Sequence, residues 1–226
     1  MSSASEHRKD LIEVCRLAYQ RGYLCGTEGN LSIRISERTI LSTASATCKG
    51  RIEDADLLIC DQEGNLIPSS SQRNGARLST ELKMHLRAYS ERPDIFAIVH
   101  AHPVTAVGFT VAGKSLEQAV LPEVVCTMGS IPTAPYATPS TDEVPDSIGE
   151  LARTHDAILL DHHGAITFGA DIWSAFYKME TLEHFAKTIM VAELLGGTQA
   201  LPKQRVEQLL SIRSVYGLTR PVIVKE

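Results

Sequence analysis

The chain has 226 residues, 43% hydrophobic and 22% charged, with a formal net charge of −5 at pH 7. That composition suits one folded domain without disulfides or structural metal and excludes a largely disordered chain; the acidic balance argues against a nucleic-acid partner, which needs a basic face. No run approaches the ~20 apolar residues of a membrane span, and the polar start MSSASEHRKD lacks a secretory apolar segment, so a cytoplasmic protein without membrane or nucleic-acid partners is expected.

Leu11, Ile12, Cys15, Leu17 and Ala18 recur at helical spacing within residues 7–23, and Gly22 ends that helix. The glycine-rich turn Gly26-Thr27-Glu28-Gly29-Asn30 leads into a strand where Leu31, Ile33 and Ile35 alternate with polar residues. TILSTAS reads as its partner strand, and ADLLICDQEGNLI as a hairpin turning at Glu63-Gly64-Asn65. After a polar loop over 69–77, a Ser/Thr-capped helix with an acidic first turn ends before Pro93. DIFAIVHAH is a buried strand, TAVGFTVAG a short helix or strand, and the proline-rich stretch SIPTAPYATPST an ordered loop. Next come a helix over EVPDSIGELARTH and two strands around a His-Gly bend in DAILLDHHGAITFG. A long helix over 171–195 ends at Gly196-Gly197, and a last helix covers about 202–216. Hairpin-joined strands mixed with helices predict a mixed or mainly antiparallel sheet with helices on its faces. The GTEGN turn is not GxGxxG and has no Walker lysine, so neither nucleotide motif is present. The five cysteines form no CxxC pair and read as reduced thiols.

Chemistry concentrates in two histidine pairs. His100 and His102 stand two apart at a strand end, so their rings share a face and can hold one metal ion. Alone, the HxH pattern fits equally one exposed and one hydrogen-bonded histidine. His162-His163 also ends a strand, and adjacent strand residues point apart, so only one of them can join a common ion. Glu81, in a first helical turn, is a candidate carboxylate for the site or simply a partner of the helix dipole. His85, one turn on, reads as a satisfied or exposed histidine. The turns at 26–30, Thr43-Ala44-Ser45-Ala46 and Ser79-Thr80 offer the N–H and hydroxyl donors that suit phosphate, or are ordinary turns and caps.

In order along the chain, GTEGNLS at 26–32, Lys49-Gly50-Arg51, Ser79-Thr80-Glu81, His100-Ala101-His102-Pro103, APYAT at 134–138 and His162-His163-Gly164 resemble the motifs of the class II aldolase/adducin family. The likeness spans about 8–197 of a single expected domain, 1–226, whose C-terminal helix and tail occupy 202–226. It implies a three-layer α/β/α fold around a central, mainly antiparallel sheet, and a homotetramer with active sites at subunit interfaces. It implies that His100, His102 and His163 bind Zn2+, with Mn2+ or Co2+ also admitted by the ligand types. Glu81 would be a further metal ligand and the catalytic acid/base, and Gly29-Asn30, Ser45-Ala46 and Ser79-Thr80 would hold the phosphate of a sugar phosphate.

The implied reaction is cleavage of a ketose 1-phosphate, fuculose-phosphate-like, to dihydroxyacetone phosphate and an aldehyde through a metal-stabilised enediolate. Decarboxylation of a sugar-acid phosphate and pentulose-phosphate 4-epimerisation are alternatives on the same scaffold, with Arg77 or Lys49 meeting the carboxylate of an acid substrate. A non-catalytic, adducin-like module has no chemical need for three histidines and Glu81. Two departures bear on substrate. Segment 121–128, LPEVVCTM, has no tyrosine where the family's aldolase uses one on the aldehyde oxygen, and Tyr216 is the candidate for a second tyrosine donated by a neighbouring subunit. Ala46 stands where the phosphate turn often has glycine.

Overall fold

Alternation along the strands decides which side chains each helical layer covers. The computed structural model describes residues 4–216, 218 and 220–225. Its strands are β1 (Asn30–Arg34), β2 (Ile40–Thr43), β3 (Leu57–Cys60), β4 (Leu66–Ile67), β5 (Ala97–Ala101), β6 (Thr133–Ala134), β7 (Ala157–Leu160) and β8 (Gly164–Gly169). They form one sheet in the order β4-β3-β2-β1-β5-β8-β7-β6, antiparallel except for the β6–β7 pair. The helices are α1 (Ala4–Gln20), α2 (Leu82–Glu91), α3 (Val104–Val111), α4 (Pro122–Thr127), α5 (Glu143–Thr154), α6 (Ile172–Leu194) and α7 (Lys203–Ile212). Leu31, Ile33, Ala97, Val99 and Ala165 pack with α1, α3, α4 and α6 in one core. Ile98, Ile158, Ile166 and Phe168 pack with α2 and α5 in the other. This is the expected three-layer architecture. Because Ile98 turns to the α2 side, so does His100, two residues on.

Several local readings need correction. The proline-rich stretch contains β6, whose Thr133 and Ala134 pair with Leu159 and Leu160. Segment 121–128 contains a short helix, α4, with proline in its first turn. Helix α2 has no Ser/Thr cap: Glu81 itself is the N-cap residue, one position before the first turn. Leu78 is still in a β-bridge with Ala44; Ser79 Oγ accepts from Asn30 Nδ2 and from the Glu81 N–H, each at 3.3 Å, and the Thr80 hydroxyl meets Ser140, so neither takes the N-cap position. His162 and His163 lie in the turn between β7 and β8 rather than on a strand. The Tyr216 side chain lies outside the described residues.

Candidate active site

The end of β5, the β7–β8 turn and the start of α2 converge on one point. The rings of His100, His102 and His163 have centroids 5.0, 4.9 and 5.0 Å apart and are inclined at 64°, 66° and 64° to one another. Each offers a ligand nitrogen, all within 4.8 Å of one another. The Nε2 atoms of His100 and His102 are 3.3 Å apart. His100 Nδ1 lies 3.0 Å from the Ala165 carbonyl, and His102 Nδ1 lies 3.1 Å from the Glu28 carboxylate. Both partners only accept, so each Nδ1 carries the proton and each Nε2 presents a lone pair. Two lone pairs facing each other repel unless a cation lies between them, so the donor set fits a divalent metal. Burial and the neighbouring His100 and His163 push the His102 pKa down to about 3, which keeps it neutral and able to ligate.

His162 is delivered elsewhere. Its φ is +56°, its half-exposed ring bonds to Asp161 at 2.9 Å, and its N–H donates to the Thr110 hydroxyl. That left-handed residue, rather than strand alternation, separates the two histidines. The residue after His163 must be glycine: a Cβ on Gly164 would sit 2.6 Å from both the Ala101 carbonyl oxygen and His102 Cδ2.

Glu81 closes the cluster. Its Oε2 is 3.4 Å from His100 Nε2 and its Oε1 is 3.1 Å from His163 Nε2. Asn30 Nδ2 donates to Oε2 at 2.9 Å. Burial disfavours its charge, but the adjoining His100 and His163 outweigh burial and hold the carboxyl well below the usual range.

The three polar turns lie beside this cluster. Asn30 Nδ2 is 3.3 Å from Ser79 Oγ, and the Ser45 N–H donates to the Arg77 carbonyl at 2.8 Å, which runs the 43–46 turn alongside 77–80. Thr80 Oγ1 instead meets Ser140 Oγ at 2.8 Å. Gly29 has φ +65°, and a Cβ on it would come within 2.6 Å of the His100 carbonyl oxygen. Lys49, weighed as a cation for a substrate carboxylate, is buried and donates to the Thr27 carbonyl at 3.0 Å, so it braces the 26–30 turn; Arg77 is exposed. Ala46 adopts the glycine-like conformation, φ +55°. A left-handed alanine costs ~1–2 kcal/mol, and glycine loses ~0.5–1 kcal/mol of that gain through its freer unfolded chain. Ala46→Gly is therefore expected to stabilise the fold by ~0.5–1 kcal/mol and Ala46→Val to destabilise it, as read from urea midpoints.

His85 is neither exposed nor fully satisfied: it is buried, its Nδ1 lies 2.7 Å from Ser32 Oγ, and its Nε2 has no hydrogen-bond partner. Burial, reinforced by His100, lowers its pKa to about 3. Between pH ~6.5 and 3 only the unfolded chain takes up this proton, so stability falls with pH across that window, by up to ~1.4 kcal/mol per unit. Metal-free His85→Gln should show a shallower loss of stability from pH 7 to 5 than the metal-free parent; parallel curves would assign the loss to other groups. Sequence reasoning passed over Ser32 and Glu28. The alternation along β1 that marked Ser32 as polar reads as a solvent face, and only the packing of α2 buries it.

The sequence profile of the Class II Aldolase and Adducin N-terminal domain matches residues 9–190. The chain belongs to the class II aldolase/adducin family. Among class II aldolase-family relatives, 3-oxo-tetronate 4-phosphate decarboxylase of Pectobacterium atrosepticum is 30% identical over 195 residues, 84% of this chain and 87% of the relative. L-fuculose phosphate aldolase of Methanococcus maripaludis is 31% identical over 187 residues, 83% and 97% respectively. A solved L-fuculose 1-phosphate aldolase structure superposes with a TM-score of 0.84 at 26% identity, covering 96% of this chain and 98% of that one. The class II aldolase family is divalent-metal dependent, and its relatives named here are enzymes of carbon–carbon bond cleavage. Among the described residues no helix is long and apolar enough to cross a membrane.

Proposed function

We propose that this chain is a metal-dependent carbon–carbon lyase that cleaves a ketose 1-phosphate to dihydroxyacetone phosphate and an aldehyde. One observation carries the reading: Asn30 joins Glu81, which contacts two of the three clustered histidines, to Ser79 on the polar turns. Proton-transfer group, metal ligands and phosphate turn then form one connected unit. His100, His102 and His163 would hold a divalent ion, zinc being the best match to the nitrogen-rich set, which when bound would supply a Lewis acid for charge on the substrate oxygens. Glu81 moves the proton to or from the substrate carbon. Gly29, Asn30, Ser45, Ala46, Ser79 and Thr80 hold the phosphate and fix the reacting end in place. Exposed Met190, Val191, Leu194 and Leu195 at the end of α6 support assembly of copies, in keeping with a cytoplasmic homotetramer whose sites lie at subunit interfaces.

Decarboxylation of a 3-oxo sugar-acid phosphate is the second reading, favoured by α4. That helix carries no tyrosine, and Val124, Val125 and Cys126 are buried. Loss of carbon dioxide leaves no aldehyde oxygen to protonate, so decarboxylation has no need of the missing tyrosine. Metal-loaded protein should be incubated with ketose 1-phosphates and with 3-oxo sugar-acid phosphates. Triose phosphate release supports the first reading, carbon dioxide release moves the assignment to the second, and neither product refutes both.

The phosphate turns have their own test. Inhibition by phosphoglycolohydroxamate should weaken by about one to two decades in Asn30→Ala and in Thr80→Val, the range for one donor lost from a charged acceptor. The Thr80 hydroxyl meets Ser140 rather than the Glu81 carboxylate, so its variant separates phosphate binding from proton transfer. Unchanged inhibition in both would leave the turns structural.

A further inference from the structure

Strand β1 and helix α2 meet along a ladder of polar contacts whose first rung is Glu81. Asn30, Ser32 and Arg34 alternate onto one face of β1, while Glu81, His85 and Tyr89 follow at four-residue intervals along α2. Asn30 donates to Glu81. Ser32 Oγ lies 2.7 Å from His85 Nδ1 and 2.9 Å from the Tyr89 hydroxyl. Arg34 donates to the Tyr89 carbonyl at 2.6 Å, and its guanidinium lies 4.7 Å from the Tyr89 ring centroid. Two strand residues advance about 6.7 Å and four helical residues about 6 Å, so strand and helix stay in step over three rungs.

Apolar packing is non-directional and does not by itself fix how far along a sheet a helix sits. Leu82, Met84 and Ala88 therefore hold α2 on the sheet without choosing its position along β1. The side chain of the N-cap residue Glu81 makes no capping bond, and the Ser79 Oγ that accepts the Glu81 N–H at 3.3 Å belongs to the same segment, so that contact alone does not set the position along β1. A buried hydrogen-bonded rung accepts one register only. Two buried atoms of the ladder, Asn30 Oδ1 and His85 Nε2, have no hydrogen-bond partner. Apolar residues of similar shape would avoid that cost, so these polar groups point to a purpose other than stability.

We propose that Ser32, through His85 and Tyr89, is a positioning residue that sets the register of α2 and so places the Glu81 carboxylate between His100 and His163. The inference rests on Glu81 being the carboxylate that works at the metal. A slip of one helical residue would move Glu81 by about 1.5 Å and rotate it by about 100°, away from both histidines.

The test uses cobalt(II)-loaded protein, whose visible absorption reports the ligand set, beside thermal unfolding. Ser32→Ala removes the shared hydroxyl; Tyr89→Phe removes one of its partners and keeps the ring beneath Arg34. Both are expected to shift the cobalt spectrum in the direction of Glu81→Gln, Ser32→Ala the more. A wild-type spectrum in both variants, with only the melting temperature lowered, would reduce the ladder to a stabilising contact and overturn the proposal. If Ser32→Ala does not fold, Tyr89→Phe decides. A wild-type spectrum in Glu81→Gln overturns instead the assignment of Glu81 to the metal, and the proposal with it.

Discussion

Glu81→Gln is expected to lower turnover by ~10²–10⁴-fold, the usual cost of losing a positioned acid/base. The glutamine keeps the size of the side chain, and its amide oxygen can still accept from Asn30, so the fold should survive. It cannot exchange a proton with substrate. The geometry adds a second component. The carboxylate contacts His100 and His163 through different oxygens, whereas an amide offers one oxygen and one NH2 group. The NH2 group cannot ligate a metal, so metal affinity should fall too, and turnover must be compared at saturating metal. Turnover within a few-fold of the parent under that condition would move the proton-transfer role to another residue.

The histidines should show the larger effect on metal content. His102→Ala and His163→Ala are each expected to bind metal far more weakly and to lose it on dialysis against a chelator, because each removes one of the three clustered imidazoles and leaves only two of them beside Glu81. His162→Ala should retain it, since that ring is turned toward Asp161. Elemental analysis of the three variants decides the point; metal lost with His162 and kept without His163 would exchange their roles. Glu28→Gln probes the same centre from outside. A weaker acceptor for His102 Nδ1 should lower metal affinity by ~10–100-fold while leaving all direct ligands in place.

Features that depend on short, regular spacing were legible in the chain. The two-residue step of His100 and His102 places both rings on one face, and the longer helices follow their apolar periodicity. What escaped depends on contacts between distant segments. Glu81 stands at the N-cap while Asn30 reaches Ser79 and Ser140 meets Thr80, contacts that span 49 and 60 residues. The choice of His163 stands on a left-handed turn, which no alternation rule contains. Helix α4, with six residues, and β6, with two, are too short to show a period. Ser32, His85 and Tyr89 looked like unrelated polar residues on two elements because their meeting depends on how a helix lands on a sheet.

The crowding at Gly29 and Gly164 has an evolutionary consequence. At each position a single added carbon would collide with the backbone or the ring of a clustered histidine. Neither glycine has a side chain to offer a metal or a proton, yet a library varying every position of the chain should find both as intolerant as the histidines. Exposed His162, two residues before Gly164 and chemically far richer, should accept asparagine, whose short polar side chain tolerates the same left-handed backbone. Mutational tolerance around this site would then follow the room available to Cβ more closely than the reactivity of the side chains.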